Sequence, residues 1–319
     1  MQKKLRAIKL FTQVVVLFSI LATFNLLVAH LSRNTVPRQI LLNAKSSENA
    51  TDLFVGNSLI QSGFDKSVFE ANLSNRKAIN LGLGSSSPVE HYLFLKSSTN
   101  HYKANIWYGF FDTQLTDAIK SDYESLFGNR AASYYIEPET AISLYASNDF
   151  IRAWQIRLTS KIPMLVERGS IWATVERMRR TLGETGMPHA VVNHFGRNED
   201  FKMLEASDEK SFVQICQTVI KNKTKFNSGT SYILQLAKQR HTKITFILMP
   251  MTQKHRKKFY GTSSWRTYKT YVSDLIQING GTLIDASDWI TDDGFSDGLH
   301  LNKLGANLFS QKIAILNKS

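Results

Sequence analysis

The chain contains 319 residues, of which 43% are hydrophobic and 20% charged, with 17 glycines and 6 prolines. That composition excludes intrinsic disorder, collagen and low-complexity architectures, and the length suits one α/β domain with additions. Cys216 is the single cysteine, which excludes an intramolecular disulfide framework and a four-cysteine zinc site. The net charge of +13 favours an anionic partner such as nucleic acid, lipid head groups or an acidic polymer.

The first 31 residues have the pattern of a membrane anchor. A basic tail over residues 1–9 precedes an uncharged apolar stretch over residues 10–31. About 20 residues of helix cross a hydrocarbon core of roughly 30 Å, so this stretch is long enough to span it. The positive-inside rule then predicts a single-pass protein whose N-terminus is cytoplasmic and whose main domain is periplasmic or extracellular. A cleaved signal peptide is the alternative, which Leu27 disfavours because it stands at the −3 position for a cut after Ala29.

This topology narrows the choice of partner. Four of the 39 basic residues precede the span, which leaves 35 basic against 26 acidic residues beyond it. We therefore expect an anionic cell-envelope polymer or lipid head groups rather than nucleic acid. A basic surface that only aids solubility is the alternative.

After a mostly polar segment over residues 32–51, predicted to be a linker, short apolar runs alternate with helical patterns. The runs predict five strands: Asp52–Gly56, Ala78–Gly82, Asn105–Phe110, Ile244–Pro250 and Thr282–Asp285. Apolar runs without polar alternation are typical of parallel strands covered on both faces. Helices are predicted over Pro88–Ser98, Gly229–His241, Trp265–Ile278 and Lys303–Leu316. This order predicts an α/β domain over residues 52–319, built on a doubly wound parallel sheet.

The segment over residues 113–227, between the third and fourth strands, is longer than a single crossover helix requires. Ile151, Trp154 and Leu158 fall on one helical face, and a second helix is predicted over residues 170–183. We interpret this segment as a helical cap rather than a second domain. Cys216 lies near its end in an apolar helical context, which favours packing over reactivity.

Polar residues cluster where the predicted strands end, which is where sites form in doubly wound sheets. Ser58 follows the first strand in a Gly-Asn-Ser turn, and the second strand ends in Gly82-Leu83-Gly84, whose backbone N–H groups can act as donors. Near the C-terminus, Asp297 and His300 are three residues apart, so one turn brings both side chains to the same side. A carboxylate that accepts the Nδ1–H of His300 directs Nε2 towards a nucleophile, and Ser58 needs such a base to attack at neutral pH.

These blocks resemble those of the SGNH, or GDSL-type, hydrolase superfamily over about Asp52–Asp112 and Thr242–Leu316. Three stretches are similar to conserved blocks of that superfamily: Phe54-Val55-Gly56-Asn57-Ser58-Leu59, Asn80-Leu81-Gly82-Leu83-Gly84 and Asp297-Gly298-Leu299-His300-Leu301-Asn302. In the first of them, Asn57 stands where many members have Asp. The resemblance implies a three-layer αβα fold with Ser58 as nucleophile, His300 as general base and acid, and Asp297 as the group that orients it. It also implies an oxyanion hole formed by the backbone N–H groups of Ser58, Gly82 and Gly84.

The third block departs from the family pattern. In Gly109-Phe110-Phe111-Asp112, Phe111 stands where the family has an oxyanion-hole Asn. Loss of one such donor costs about 10²–10³ in rate in enzymes that depend on it. Either the backbone donors suffice, or another residue substitutes, or activity is low. The same loss occurs in membrane-anchored branches, linked to teichoic-acid D-alanylation and polysaccharide O-acetylation, that this chain resembles overall.

Resemblance to those branches implies a serine esterase or O-acyltransferase that acts on a cell-envelope polysaccharide or related polymer through an acyl-Ser58 intermediate. The polymer or an acyl donor is then the substrate, and a multi-span membrane acyltransferase is a candidate partner. Two alternatives stay open: an inactive binding or assembly subunit of a polymer-modifying complex, and a lipid or small-ester esterase. No metal or cofactor is expected, because the histidines lack metal-ligand spacing and Gly82-x-Gly84 lacks the rest of a dinucleotide fingerprint.

A cationic run directly follows the fourth strand, with Lys254, His255, Arg256, Lys257 and Lys258 in succession. Because the carboxyl ends of parallel strands lie at one rim of the sheet, we expect this run to border the mouth at Ser58. Its cations Lys254, Arg256, Lys257 and Lys258 would guide an anionic polymer or lipid head groups. A solvated helix start is the alternative.

Overall fold

The computed structural model describes residues 2–31, 40, 42, 49–84, 86–98, 104–117, 138–162 and 209–317. These residues belong to two compact units, one of Met1–Gln39 with Ser121–Pro188 and the other of Ile40–Lys120 with His189–Ser319. Most of the predicted linker over residues 32–51 and the whole predicted helix over residues 170–183 lie outside the described residues.

The described helices follow the chain from an N-terminal helix to a C-terminal one. They are α1 (Gln2–Leu31), α2 (Ser58–Gly63), α3 (Lys66–Ala71), α4 (Pro88–Ser97), α5 (Pro138–Tyr145), α6 (Phe150–Thr159), α7 (Glu209–Lys221), α8 (Ser228–Gln239), α9 (Gln253–His255), α10 (Ser263–Ile278) and α11 (Lys303–Leu316). A π-helical turn, Arg256–Tyr260, continues α9, and a 3₁₀ turn, Asp292–Gly294, precedes α11. In several of these helices a side chain accepts a hydrogen bond from the first turn and so caps the N-terminus. These caps are Asn57 for α2, Asn227 for α8, Thr262 for α10 and Asn302 for α11.

Helix α1 contains the apolar stretch predicted to be an anchor. Its segment Lys4–His30 is 27 residues long and contains an 18-residue window with a mean hydropathy of 2.1, almost none of which is buried. At 1.5 Å per residue this segment is roughly 40 Å long, which exceeds the thickness of a hydrocarbon core. The segment is therefore long and apolar enough to cross a membrane once, while the direction of crossing stays a prediction.

In the same unit, α5 and α6 form a small apolar cluster. Helix α6 confirms the helix predicted from Ile151, Trp154 and Leu158, but Ile151 and Trp154 are 68% and 55% exposed. The buried side of α6 is instead formed by Ala153 and Ile156, which pack with alanine and isoleucine side chains of and after α5. The side of α6 that this cluster buries is therefore not the face that Ile151 and Trp154 predict.

The second unit is built on a five-stranded parallel sheet. Its strands are β1 (Asp52–Gly56), β2 (Ala78–Gly82), β3 (Asn105–Phe110), β4 (Ile244–Leu248) and β5 (Thr282–Asp285), in the order β2-β1-β3-β4-β5. All five predicted strands are confirmed, and β4 ends two residues before Pro250, since proline has no N–H to donate to a ladder. Strands β1 and β4 are buried throughout, as the apolar runs indicated, whereas the edge strand β5 is partly exposed.

From β1, the chain adds β2 on one side and then β3, β4 and β5 on the other, so the order of connection switches sides between β1 and β3. The carboxyl ends of β1 and β3 lie at the same rim of the sheet. In parallel α/β sheets, such a switch point opens a crevice beyond the carboxyl ends of the strands. Helix α2 follows β1 at that rim and contacts α11, while α4 packs on α8 and α7 packs on α10. The last part of the predicted cap, which includes α7, thus packs within the α/β unit.

Cys216 is fully buried on α7, in agreement with the packing role predicted for it. Burial raises the pKa of its thiol to about 12. The thiolate, which is the reactive form of cysteine, is therefore scarce at neutral pH.

A buried hydrogen-bond chain ties β3 to the loop that follows β2. His91 lies on α4, with Nδ1 2.9 Å from the Tyr108 hydroxyl and Nε2 2.6 Å from Ser86 Oγ. Ser86 Oγ donates its own proton to the Leu83 carbonyl, so it accepts from His91 Nε2–H, and Nδ1 accepts from Tyr108. Leu83, which directly precedes Gly84, and Ser86 are thereby held from inside the protein.

Protonation of His91 would break this chain, and burial lowers its pKa from 6.5 to about 3. Between pH 6.5 and 3 the unfolded chain binds a proton here that the folded protein does not, so stability falls as the pH falls. We predict that His91 accounts for a loss of about 2 kcal/mol in the free energy of unfolding between pH 7.5 and pH 5. Urea unfolding of the full chain in micelles should show that this loss shrinks in His91→Gln. An equal loss in both proteins would contradict the assignment.

Candidate active site

Ser58 is the first residue of α2, immediately beyond the end of β1. Asn57 caps the helix, because its side-chain oxygen accepts the Leu59 N–H at 2.9 Å. The Ser58 side chain therefore stands at the crevice end of the sheet, where the sequence predicted it.

Two glycines let α2 lie directly on the strand ends. A Cβ on Gly82 would overlap the backbone of Gln61, and a Cβ on Gly109 would overlap the side chain of Ile60. Ile60 is fully buried in this position. The glycines thus fix the height of α2 above the sheet, and with it the position of Ser58.

Asp297 and His300 lie in the loop between the 3₁₀ turn and α11. The expected helical turn between them is absent; instead Asp297 Oδ1 accepts the N–H groups of Leu299 and His300, each at 2.7 Å. Ser296 N–H closes the loop by donating to the His300 carbonyl at 2.8 Å. The two side chains therefore meet as predicted, but an Asx-type turn brings them together rather than a helix.

The three predicted catalytic side chains form one hydrogen-bonded line. His300 Nε2 lies 2.9 Å from Ser58 Oγ, and His300 Nδ1 lies 2.8 Å from Asp297 Oδ2. The side chains of His300 and Asp297 are only 17% and 7% exposed. Residues 242 positions apart in the chain thus meet at the rim of the sheet.

The electrostatics of Asp297 suit an orienting carboxylate. Burial by itself raises its pKa, but hydrogen bonds from the His300 ring and from the His300 and Leu299 amides outweigh burial, so the net pKa lies below its ordinary value. An ionised Asp297 can only accept, so Nδ1 of His300 carries the proton and Nε2 presents its lone pair to the Ser58 hydroxyl. This arrangement can deprotonate Ser58 as it attacks an electrophile.

The predicted oxyanion donors differ in what their N–H groups contact. Gly82 N–H donates to Asn80 Oδ1 at 2.9 Å, and Gly84 N–H donates to Gln61 Oε1 at 2.7 Å. Within the described part of the chain, no hydrogen bond is made by Ser58 N–H. Ser58 is therefore the one of the three whose amide is open to a bound oxyanion in this structure.

The loop after β3 carries a polar cluster that sequence reasoning missed. Asp112, in the left-handed region at φ 47°, accepts from the Tyr260 hydroxyl at 2.8 Å and lies 2.9 Å from His255 Nε2. Burial and the charge of Asp112 raise the pKa of Tyr260, so the phenol stays protonated and donates. Phe111, at the position of the missing oxyanion Asn, packs against the apolar core beside this cluster.

The predicted cationic run lies near the triad loop. Thr252, two residues before Lys254, donates its hydroxyl to the carbonyl of Gly298, between Asp297 and His300, at 3.2 Å. Lys254 and Lys257 are exposed, and Arg256 and Lys258 are partly exposed, whereas His255 is buried against Asp112. Among the described residues, no three His, Cys, Asp or Glu side chains are grouped so that they could hold a metal.

Replacement of Asp297 tests the orienting role without regard to the natural substrate. In Asp297→Asn, an amide that can donate to Nδ1 favours the wrong tautomer of His300, and we expect the labelling of Ser58 by a fluorophosphonate probe to slow by roughly 10³–10⁴-fold. Stopped-time labelling with mass analysis of the modified peptide measures this. Asp288→Asn, which removes an exposed carboxylate outside the triad, is the matched control and should label at the normal rate. Equal rates in the two variants would show that Asp297 does not orient His300.

Comparison with known proteins assigns no family. No family model and no curated protein matches the chain. One solved structure that it resembles is a "putative platelet activating factor" from Streptococcus pneumonia, with 10% sequence identity and a TM-score of 0.40 over 93% of this chain and 98% of that one. A likeness at this level assigns neither a family nor a reaction to the chain.

Proposed function

We propose that this protein is a membrane-anchored serine esterase or O-acyltransferase of the SGNH type, with a three-layer αβα fold and its α/β domain outside the cytoplasm. One observation carries the proposal: His300 bridges Ser58 Oγ at 2.9 Å and the ionised Asp297 at 2.8 Å, at the switch point of a parallel sheet. A nucleophile, a base and an orienting acid in hydrogen-bonding sequence are the requirement for acyl transfer through serine.

The reaction proceeds in two steps that use the same groups. Ser58 Oγ attacks the carbonyl carbon of an ester while its proton passes to His300 Nε2, and the collapse of the tetrahedral intermediate returns that proton to the departing alcohol. Water or a hydroxyl group of an acceptor then attacks acyl-Ser58 while His300 takes its proton, and His300 returns that proton to Ser58 Oγ as the bond between the acyl group and Oγ breaks. Water gives hydrolysis, and a polymer hydroxyl gives O-acyl transfer.

The membrane anchor and the charge of the chain favour an envelope polymer as the substrate. Helix α1 keeps the α/β domain at a membrane surface, and the excess of 35 basic over 26 acidic residues beyond the span attracts anionic polymers. In this proposal a multi-span membrane acyltransferase supplies the acyl group when the chain acts as a transferase.

A second candidate function is an inactive binding or assembly subunit of a polymer-modifying complex. Phe111 favours it, because the side chain at that position offers no hydrogen-bond donor. The intact line of Ser58, His300 and Asp297 opposes it, since a subunit without catalysis gains nothing from a polarised serine.

A double-mutant cycle distinguishes the two functions. Catalytic groups that act as one unit are strongly non-additive, so Ser58→Ala and His300→Ala should each lose nearly as much activity as the double variant. We would measure ester hydrolysis with p-nitrophenyl acetate and release of acetate from an O-acetylated polysaccharide. Losses that add in full would refute the triad, and an unreactive wild-type protein would favour the binding subunit.

The cationic run predicts a dependence on substrate charge. Replacement of Lys254, Lys257 and Lys258 by Gln should weaken the use of an anionic polymer while sparing a neutral ester, because only the polymer is attracted by these cations. The difference should be seen at low salt, since at 0.1 M salt the field of the cations is screened beyond about 10 Å. Arg256 stays in place, since its Nε donates to the Met251 carbonyl.

The matched control replaces three exposed lysines away from the cationic run. Lys77 and Lys243 directly precede β2 and β4, and Lys238 lies at the end of α8. Their replacement by Gln removes the same charge and should leave both substrates unaffected. Equal effects of the two triple variants would show that the run only contributes to net charge.

A further inference from the structure

The site lacks one donor that the proposed reaction needs. Developing negative charge on the carbonyl oxygen is stabilised by donors aimed at it, and each donor contributes a large part of the rate. The Phe111 side chain has no hydrogen-bond donor, and the amides of Gly82 and Gly84 already donate to the side chains of Asn80 and Gln61. Ser58 N–H alone would leave the oxyanion poorly satisfied.

The side-chain amide of Gln61 lies next to the nucleophile. Gln61 follows Ser58 by three residues on α2, which places both side chains on the same face of the helix. A Cβ on Gly84 would lie 3.2 Å from Gln61 Oε1 and 3.8 Å from Ser58 Cβ. The carboxamide, Gly84 and Ser58 therefore border one small space at the rim.

The hydrogen bond to Gly84 fixes the orientation of this amide. Gly84 N–H is a donor, so the atom that faces it at 2.7 Å must be the oxygen Oε1. Nε2, which carries two N–H groups, then points away from Gly84. Within the described residues Nε2 has no hydrogen-bond partner, and Gln61 is only partly buried.

Gly84 is itself held in place from the protein interior. Both the amide and the hydroxyl of Ser86 donate to the Leu83 carbonyl, and His91 donates to the same hydroxyl. The acceptor side of Gln61 thus contacts a glycine whose neighbour Leu83 is held from the interior, so little reorganisation is needed when an oxyanion forms.

We propose that Gln61 Nε2 is the oxyanion donor that substitutes for the Asn missing at Phe111, together with Ser58 N–H. Gln61 forms no covalent bond; it donates a hydrogen bond to the carbonyl oxygen as the charge develops there, and Gly84 positions it. This inference rests on the proposed acyl-transfer function and deepens it by assigning a further catalytic residue.

Two substitutions of Gln61 test it in the full-length protein in micelles. Gln61→Glu retains an oxygen for Gly84 N–H but replaces Nε2 by a second acceptor, and Gln61→Met keeps the length without a donor. We expect kcat for p-nitrophenyl acetate and the fluorophosphonate labelling rate each to fall by about 10²–10³-fold, with KM nearly unchanged. Gln311→Glu, which adds the same charge at an exposed position of α11, is the control and should match the wild type.

The competing role of Gln61 is inhibitory: its side chain would occupy the Gly84 N–H and so prevent that amide from binding the oxyanion. In that case Gln61→Met frees the Gly84 N–H and the reaction becomes faster or stays unchanged, which would overturn the inference. A loss of rate that only follows the folded fraction, measured by thermal unfolding of the same samples, would overturn it as well. A wild-type protein that neither labels nor hydrolyses would overturn the proposed function itself, whereas a reactive wild type with indifferent Gln61 variants would overturn this inference alone.

Discussion

The close approach of α2 to the strand ends is the constraint on which the site depends. Ile60 is buried over Gly109, and the backbone of Gln61 lies so near Gly82 that no side chain fits between them. Because α2 is short, this seating determines the positions of all its residues together. Ser58 and Gln61 are thereby placed on one face by packing alone, before any substrate supplies binding energy.

Much of the fold could be predicted because its signals are local. Buried parallel strands need continuous apolar runs, and each of the five runs coincides with a strand. Ser58 could be recognised because a serine after a strand-ending glycine lies at the rim where sites form. Asp297 and His300 could be recognised from their spacing, although the backbone that joins them is an Asx-type turn, which the same spacing also permits.

The rest of the site depends on contacts that no short pattern encodes. In sequence, Gln61 is an ordinary helix residue, and its relevance emerges only when the turn at Gly84 is folded against it. The meeting of Asp112 with His255 and Tyr260, which lie 143 and 148 positions further along the chain, depends likewise on the register between β3 and β4. Periodicity predicts an apolar face of α6 with Ile151 and Trp154, but both are exposed, and the contacts with and after α5 bury Ala153 and Ile156 instead.

The burial of Cys216 has a practical consequence for work on this protein. The chain has no other thiol, and this one is held as the unreactive protonated form inside α7. Towards maleimides and other reagents that consume thiolate, the folded protein should therefore behave as though it were free of cysteine. A cysteine introduced at any surface position then becomes the sole point of attachment for a fluorophore or spin label, and the native thiol becomes reactive only when α7 separates from its neighbours, so that it serves as a built-in reporter of local unfolding.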